Sequence, residues 1–272
     1  MNGLLTAAPP AEESVDLERR FGGLRRLYGD AAYARIRAAH VVVVGVGGVG
    51  SWSAEALARS GVGALTLIDL DQVSESNINR QVQALGATLG QAKVDALRAR
   101  IADIHPGCAV TAIEEFVDGG NWPALLPARP VDAVIDACDQ GRAKAVLAAW
   151  ALESGVPLVI VGAAGGKREA QAVAVDDLGL VTHDPMLASL RQRLRKHHGA
   201  ARSGRIGLRC VYSREPVHAP SAADCDRDSS LNCHGYGSSV AVTATFGMVA
   251  ASLAIELLQA ASDRASEPAG YN

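Results

Sequence analysis

Five cysteines stand in this 272-residue chain, at positions 108, 138, 210, 225 and 233, and no two of them form a CxxC pair. That absence excludes a thioredoxin-like redox motif and a zinc knuckle built from two such pairs, and unpaired thiols fit a reducing compartment. Cys210 and Cys233 fall in polar, loop-like surroundings, but neither is assigned as a nucleophile; both read as small buried or half-buried residues. Aromatics make up only 4% of the chain, too few to interleave with basic residues as a single-strand stacking surface would need. A positively charged start followed by an apolar stretch is missing, so no secretory signal is expected and the cytoplasm is. Acidic residues are lacking throughout Pro185 to Arg214, where Arg191, Arg193, Arg195, Lys196, Arg202, Arg205, Arg209 and Arg214 stand with His197 and His198. Removing those eight from the 26 basic residues leaves 18 against 29 acidic ones, a net of −11. A one-signed island on an acidic body is the footprint expected for a polyanion, or else a solvated helix face with a flexible loop.

What is present describes an ordinary enzyme-sized α/β chain, 49% hydrophobic and 20% charged with a net charge of −3. Residues 1–15 and 261–272 are rich in Ala, Pro, Ser and Glu without apolar periodicity and are expected to fray, leaving 16–260 as a single domain. Within it, short β-branched runs alternate with helical patterns: Val41 to Val44, Ser51 to Arg59, Leu89 to His105, Ala109 to Ile113, Gly141 to Ser154 and Pro157 to Val161. That alternation predicts a Rossmann-like, doubly wound, mostly parallel sheet with ligands at the strand carboxyl ends. Gln171-AVAVDD and Gly207-LRCVYS read as further strands extending the sheet. The uncharged run from Gly235 to Ile255 has the length of a membrane span, but its serines and threonines and the missing Lys/Arg flank favour a helix buried in the core or at a dimer interface.

Gly45, Gly47, Gly48 and Gly50 follow the Val41 to Val44 run and open the next helix, a layout that brings backbone N–H groups to a phosphate without Cβ atoms in the way. The same fingerprint serves NAD and FAD enzymes. Asp69, at the end of the following strand, suits a ribose in either case, whereas Asp71, Asn77, Arg80 and Gln81 have no dinucleotide role. Cleaving a polyphosphate wants a guanidinium fork, a lysine and a carboxylate-held Mg²⁺, and Arg80, Lys93 and Asp139 offer them. Taken singly, Arg80 and Lys93 also read as solvated surface charges and Asp139 as a cap for the helix starting near Arg142.

Together these residues resemble a known family. The order GxGGVGS, DxDxVxxSNxNRQ, a lysine thirteen residues after the arginine, and DxxD is similar to the ATP-binding core of the ubiquitin-activating-enzyme-like (HesA/MoeB/ThiF) adenylyltransferases. Within that superfamily, Arg20-FGGLRRLYG, Gly162-AAGG and Val242-TATFG resemble the branch whose members dehydrate threonylcarbamoyladenosine in tRNA. The resemblance implies ATP and Mg²⁺ as cofactors, with a monovalent cation left open, and tRNA contact by Arg191, Arg193, Arg195, Lys196, Arg202 and Arg205. It implies that Asp69 holds the ribose, the glycine turn the phosphates, Arg80 and Lys93 the developing charge, and Asp139 the metal. It also implies a homodimer in which Arg20 or Arg26 reaches the partner subunit's ATP site. Two other functions stay in view. One is adenylation of the C-terminus of a ubiquitin-like sulfur carrier, with a sulfur-transfer or carrier-protein partner; those relatives hold a zinc on two CxxC pairs that this chain lacks. The other is an NAD-dependent oxidoreductase, which would leave Arg80, Lys93 and Asp139 without employment.

Overall fold

The computed structural model describes residues 16–218 and 236–265. Cys225, Cys233 and the 1–15 and 266–272 ends lie outside them. The run His40–Val44 forms β1, buried at all five positions. Its neighbours are β2 (Ala64–Ile68), β3 (Ala109–Ile113), β4 (Ala133–Asp136), β5 (Leu158–Val161), β6 (Val173–Asp177) and β7 (Arg209–Ser213), in the order β3-β2-β1-β4-β5-β7-β6. Every pairing is parallel except β6 with β7. The mostly parallel sheet and its extension by two late strands agree with the sequence. Val44 lies beside both Ile68 and Asp136, so three strands end level, and the chain after each one leaves into the same space. The strand order reverses between β1 and β4, the place where open parallel sheets leave a crevice for a ligand.

Alternation along the strands builds two layers of core. Val41 and Val43 face one layer with Leu57, Leu97 and Phe246, and Val42 and Val44 face the other with Leu147, Leu187 and Tyr212. The first layer is roofed by α3 (Gly50–Arg59), α4 (Lys93–Ile104) and α7 (Val240–Ala265), and the second by α5 (Gly141–Ser154) and α6 (Pro185–His197). Two leading helices, α1 (Leu17–Tyr28) and α2 (Asp30–Ala38), precede β1. Helix α7 continues through Ala265, into the 261–272 end where fraying is expected. Its Val240–Gln259 stretch is long and apolar enough to cross a membrane by length and composition, with a mean hydropathy of 1.8, yet half of it is buried inside the fold.

The α3–α7 crossing explains a glycine in the middle of that helix. A Cβ at Gly247 would lie 2.6 Å from both Trp52 Cβ and Val49 O, and Ser53 Oγ donates to Gly247 O at 3.1 Å. Neither neighbour is the movable end of a long side chain. Gly247→Val is therefore expected to lower unfolding stability by about 1–3 kcal/mol or more through overpacking, read as a drop in the urea midpoint at unchanged m-value. A Gly247→Val protein with the parental midpoint would mean that α7 does not cross α3 this closely.

One helix starts later than its periodicity predicts. Leu89 to Ala92 carries apolar residues at helical spacing, but Gly90 is at φ 79°, and the segment folds back on the loop after β2. Gly90 N donates to Val73 O at 2.9 Å and Val73 N to Gln91 O at 2.8 Å. The bridge delays α4 until Lys93 and sets that lysine beside Asp71.

Candidate active site

A cavity of about 760 Å³ opens at the carboxyl ends of β1, β2, β4 and β5, the size of a small-molecule site. Its floor is the glycine turn. Gly45 has φ 80°, and a Cβ there would sit 2.8 Å from Cys138 N. Gly48 packs under Arg80, whose Cγ and Cδ would lie 3.4 Å from an added Cβ. Gly45, Gly47 and Gly48 line the cavity. Gly50 does not, and its glycine is needed for packing, since a Cβ would fall 1.8 Å from Gly45 O. The turn delivers the chain into α3 with no side-chain cap on its first turn, so N–H groups at that end carry the helix's positive pole.

Asp69 pins this turn to the next loop. One carboxylate oxygen accepts from Val46 N at 2.8 Å and the other from Asp71 N at 2.9 Å. Burial holds its carboxyl above the usual carboxylate range, against the pull of nearby Lys93. Lys93, 4% exposed, donates from Nζ to Asp71 Oδ2 at 2.6 Å. All three line the cavity, so the predicted lysine is a shielded, paired cation rather than a solvated surface charge.

Arg80 stands on the same loop with its guanidinium tethered to its own turn, donating to Ser76 O at 2.7 Å and Asn79 Oδ1 at 3.0 Å. Its carbonyl accepts from Trp52 Nε1 at 2.9 Å, which fixes the backbone against α3. Gln81 is 5% exposed and lines the cavity beside it. Asn77 does not reach the cavity. It is buried beneath the single 3₁₀ turn Glu75–Asn77, where its Oδ1 accepts from Ser74 N at 3.1 Å, so its role there is to shape the loop that presents Arg80.

Asp139 is exposed and lines the cavity; the residue capping α5 is Gln140, which makes no side-chain cap bond. The cap reading of Asp139 is therefore set aside. Directly beneath, Asp136, the first aspartate of the DxxD run, meets a lysine that the sequence reading missed. Lys144, fully buried, donates from Nζ to Asp136 Oδ1 at 3.1 Å, Asp136 O at 3.3 Å and Val161 O at 2.8 Å. Burial alone would lower its pKa, but the carboxylate of Asp136 outweighs that and holds the ammonium above its ordinary value. Cys138 Sγ leans on the same oxygen at 3.0 Å, and burial pushes its thiol well up. Cys210, buried in β7, is pushed up for the same reason. Neither is a thiolate nucleophile. A signal for Lys144 existed: it falls on the apolar stripe of α5 with Leu147, Ala148 and Ala151, where a lysine needs a buried partner.

The far wall comes from α5 and α6. Asp184 caps α6, accepting from Leu187 N at 2.9 Å, and its second oxygen accepts from Ala163 N at 2.8 Å. A Cβ at Gly162 would meet that oxygen at 2.2 Å, which accounts for the glycine opening the Gly162-AAGG segment. Behind that segment, buried Lys167 donates to the carbonyls of Glu215 and His183. Of the basic island, Arg193 lines the cavity and Lys196, Arg202 and Arg205 are exposed. Arg191 and Arg195 instead spend guanidinium bonds on carbonyls, Arg191 on Leu178 and Val181 and Arg195 on Ala201. Arg142, not singled out from the sequence, also lines the cavity.

Arg20 is placed elsewhere. Its guanidinium donates to Asp103 O at 2.8 Å and Ile104 O at 2.7 Å, capping the end of α4 opposite to Lys93. At 1.5 Å rise per residue the helix separates the two by roughly 16 Å. The cation thus complements the helix's negative pole; Arg26 is exposed on α1.

A family model described as the ThiF family matches residues 20–271. The chain belongs to the ThiF family. Among ThiF family relatives, the tRNA threonylcarbamoyladenosine dehydratase of Escherichia coli (strain K12) is 41% identical over 257 residues, 90% of this chain and 96% of its own. A crystal structure of the E. coli tRNA N6-threonylcarbamoyladenosine dehydratase in complex with ATP matches with a TM-score of 0.81, covering 91% of this chain and 96% of that one. The molybdopterin-synthase adenylyltransferase of E. coli is 37% identical over 124 residues, only 46% of this chain and 49% of its own.

Proposed function

We propose that this ThiF-family chain dehydrates threonylcarbamoyladenosine in tRNA, consuming ATP by adenylating the carboxylate of the modification. The observation that carries this reading is the cavity itself, where a glycine turn at a helix start meets Arg80 and Lys93 on one side and Asp139 on another. The near full-length likeness to the E. coli dehydratase supports the tRNA substrate over a carrier protein, whose activating relative matches only half of the chain. A dinucleotide reading has no use for those cations.

Catalysis divides among the residues as follows. The turn Gly45–Gly48 and the start of α3 bind the phosphates, and Asp69 holds the ribose. A substrate carboxylate oxygen bonds to the α-phosphorus while the bond to pyrophosphate breaks, and Arg80 and Lys93 stabilise the charge on the departing group. A nitrogen or oxygen of the same modification then bonds to the acyl carbon, loses its proton to solvent and expels AMP. The oxygen leaves with AMP, and the nucleoside is lighter by one water. Ring closure is intramolecular, so positioning suffices and no enzyme nucleophile is required. The donor set fits Mg²⁺, which on phosphates commonly takes one or two carboxylates: exposed Asp139 lines the cavity and would hold it. When bound it neutralises phosphate charge.

The same reading takes residues 16–260 as one catalytic unit, working in the cytoplasm as a homodimer. Exposed Val240 and Met248 on α7 support association through that helix. The exposed Lys196, Arg202 and Arg205 face the tRNA. The test is to incubate the protein with ATP, Mg²⁺ and tRNA bearing threonylcarbamoyladenosine and weigh the digested nucleosides. Loss of one water with AMP and pyrophosphate formed is expected. An unchanged nucleoside, with pyrophosphate exchange appearing only on addition of a ubiquitin-like carrier, would overturn the substrate assignment.

A further inference from the structure

Four cations line the cavity in two pairs of opposite origin. Arg80 and Lys93 come from the loop after β2 and the start of α4, on the α3–α4–α7 face of the sheet. Arg142 and Arg193 come from α5 and α6, on the other face. The first pair is already engaged, Lys93 with Asp71 and Arg80 with its own turn. Arg142 and Arg193 are exposed, and their guanidinium groups make no hydrogen bond or ion pair with another described residue. Like charges gathered unpaired around one cavity repel each other, and an anion filling the space relieves that repulsion.

The glycine turn and the start of α3 place a polyphosphate next to the first pair. The second anion that adenylation brings in is the nucleophile, a carboxylate that must approach an already negative α-phosphate. Cations on its own side of the cavity are what that approach requires. Helix α6 extends the same provision outwards. Met186, Ser189 and Arg193 recur at helical spacing and line the cavity, and the next turn of that face carries exposed Lys196, followed by Arg202 and Arg205 in the loop beyond. From Met186 to Lys196 this face runs roughly 15 Å, a cationic track leading from solvent to the reaction centre.

We infer that Arg142 and Arg193 form the acceptor-side anion site: Arg142 binds the carboxylate that is adenylated, and Arg193 binds the RNA phosphate next to the modified nucleotide. The inference rests on the function proposed above. It assigns a binding task to each arginine and separates both from ATP.

Arg142→Ala, Arg193→Ala and the corresponding lysine variants test it, with three readouts: ATP affinity by calorimetry, dehydration by nucleoside mass, and anisotropy of labelled tRNA without ATP. The tRNA is used in two forms, with threonylcarbamoyladenosine and with unmodified adenosine. A lost charge-assisted contact is expected to weaken binding roughly 10-fold or more. Arg193→Ala should lose that factor for both tRNAs, and Arg142→Ala for the modified tRNA alone, which removes the preference between them. ATP affinity should stay within about twofold, and the lysine variants should recover part of the loss because charge remains while the fork is gone. Alanine variants that bind both tRNAs normally but lose ATP affinity would overturn the inference while the wild type still dehydrates. A wild type that neither dehydrates nor prefers the modified tRNA would overturn the proposed function itself, and the inference with it. Thermal melting checks that the variants are folded.

Discussion

Arg80→Ala is expected to lower the dehydration rate by about 10²–10³-fold, the usual effect of removing one preorganised donor from a site where charge develops. The guanidinium is held before ATP arrives, by Ser76 O and Asn79 Oδ1, so little reorganisation is needed when pyrophosphate begins to leave. Its removal takes away the two tethers to the turn but leaves the loop's backbone anchored, because the Arg80 carbonyl still accepts from Trp52 and, at 3.4 Å, from Thr243 Oγ1. The loss therefore belongs in kcat, with a smaller effect on ATP affinity. Arg80→Lys should recover only part of it, since a point charge replaces a planar fork. Single-turnover rates at saturating tRNA, together with calorimetric ATP binding, separate the two effects. An Arg80→Ala enzyme within threefold of the parental rate would remove Arg80 from the reaction.

This expectation was available from the sequence because the chemistry there is carried by residue types at fixed spacing. A valine run, four glycines and a strand-end aspartate state both the parallel sheet and the place where it opens. The late strands were equally legible, since their alternation survives at the sheet's edge. What the spacing could not carry is where a side chain spends its bonds. Asn77 and Arg80 stand three residues apart in one motif, yet one is buried under the turn and the other lines the cavity. Arg20 looks free as a letter, but it is bound to the end of α4, which depends on how α1 lies against a helix more than eighty residues later. Leu89 to Ala92 has helical periodicity, and a non-local bridge to Val73 overrides it. Lys144 was overlooked for the converse reason. A lysine amid alanines reads as an ordinary helix residue until its position on the buried stripe is compared with that of Asp136 at the end of β4.

Lys144→Met should be the most destabilising single change in the site region. It keeps the volume and removes what is, among the described residues, the only ion-pair partner of a carboxylate that is itself fully buried. Breaking a buried pair in this way costs about 3–5 kcal/mol, because a charge is left without compensation. The cost falls where three segments meet. The ammonium bonds to the end of β4 through Asp136, and to the end of β5 through Val161 O. Those strand ends carry Cys138, Asp139 and the Gly162 segment, so the variant should lose ATP affinity along with stability. Removing both charges is a different matter. Asp136→Asn combined with Lys144→Met leaves no buried charge and should recover most of the stability, since apolar or neutral replacements for such pairs are often close to neutral. The pH dependence has a definite sign. With the Lys144 pKa raised above its ordinary 10.5, the stability gained from its protonation is present below that pH and is lost only as pH rises through the higher folded-state value. The wild type should therefore show no loss from this group at neutral pH. Urea midpoints across pH for the three proteins test this, and a double variant no more stable than Lys144→Met would show that the pair contributes geometry at the strand ends rather than charge compensation.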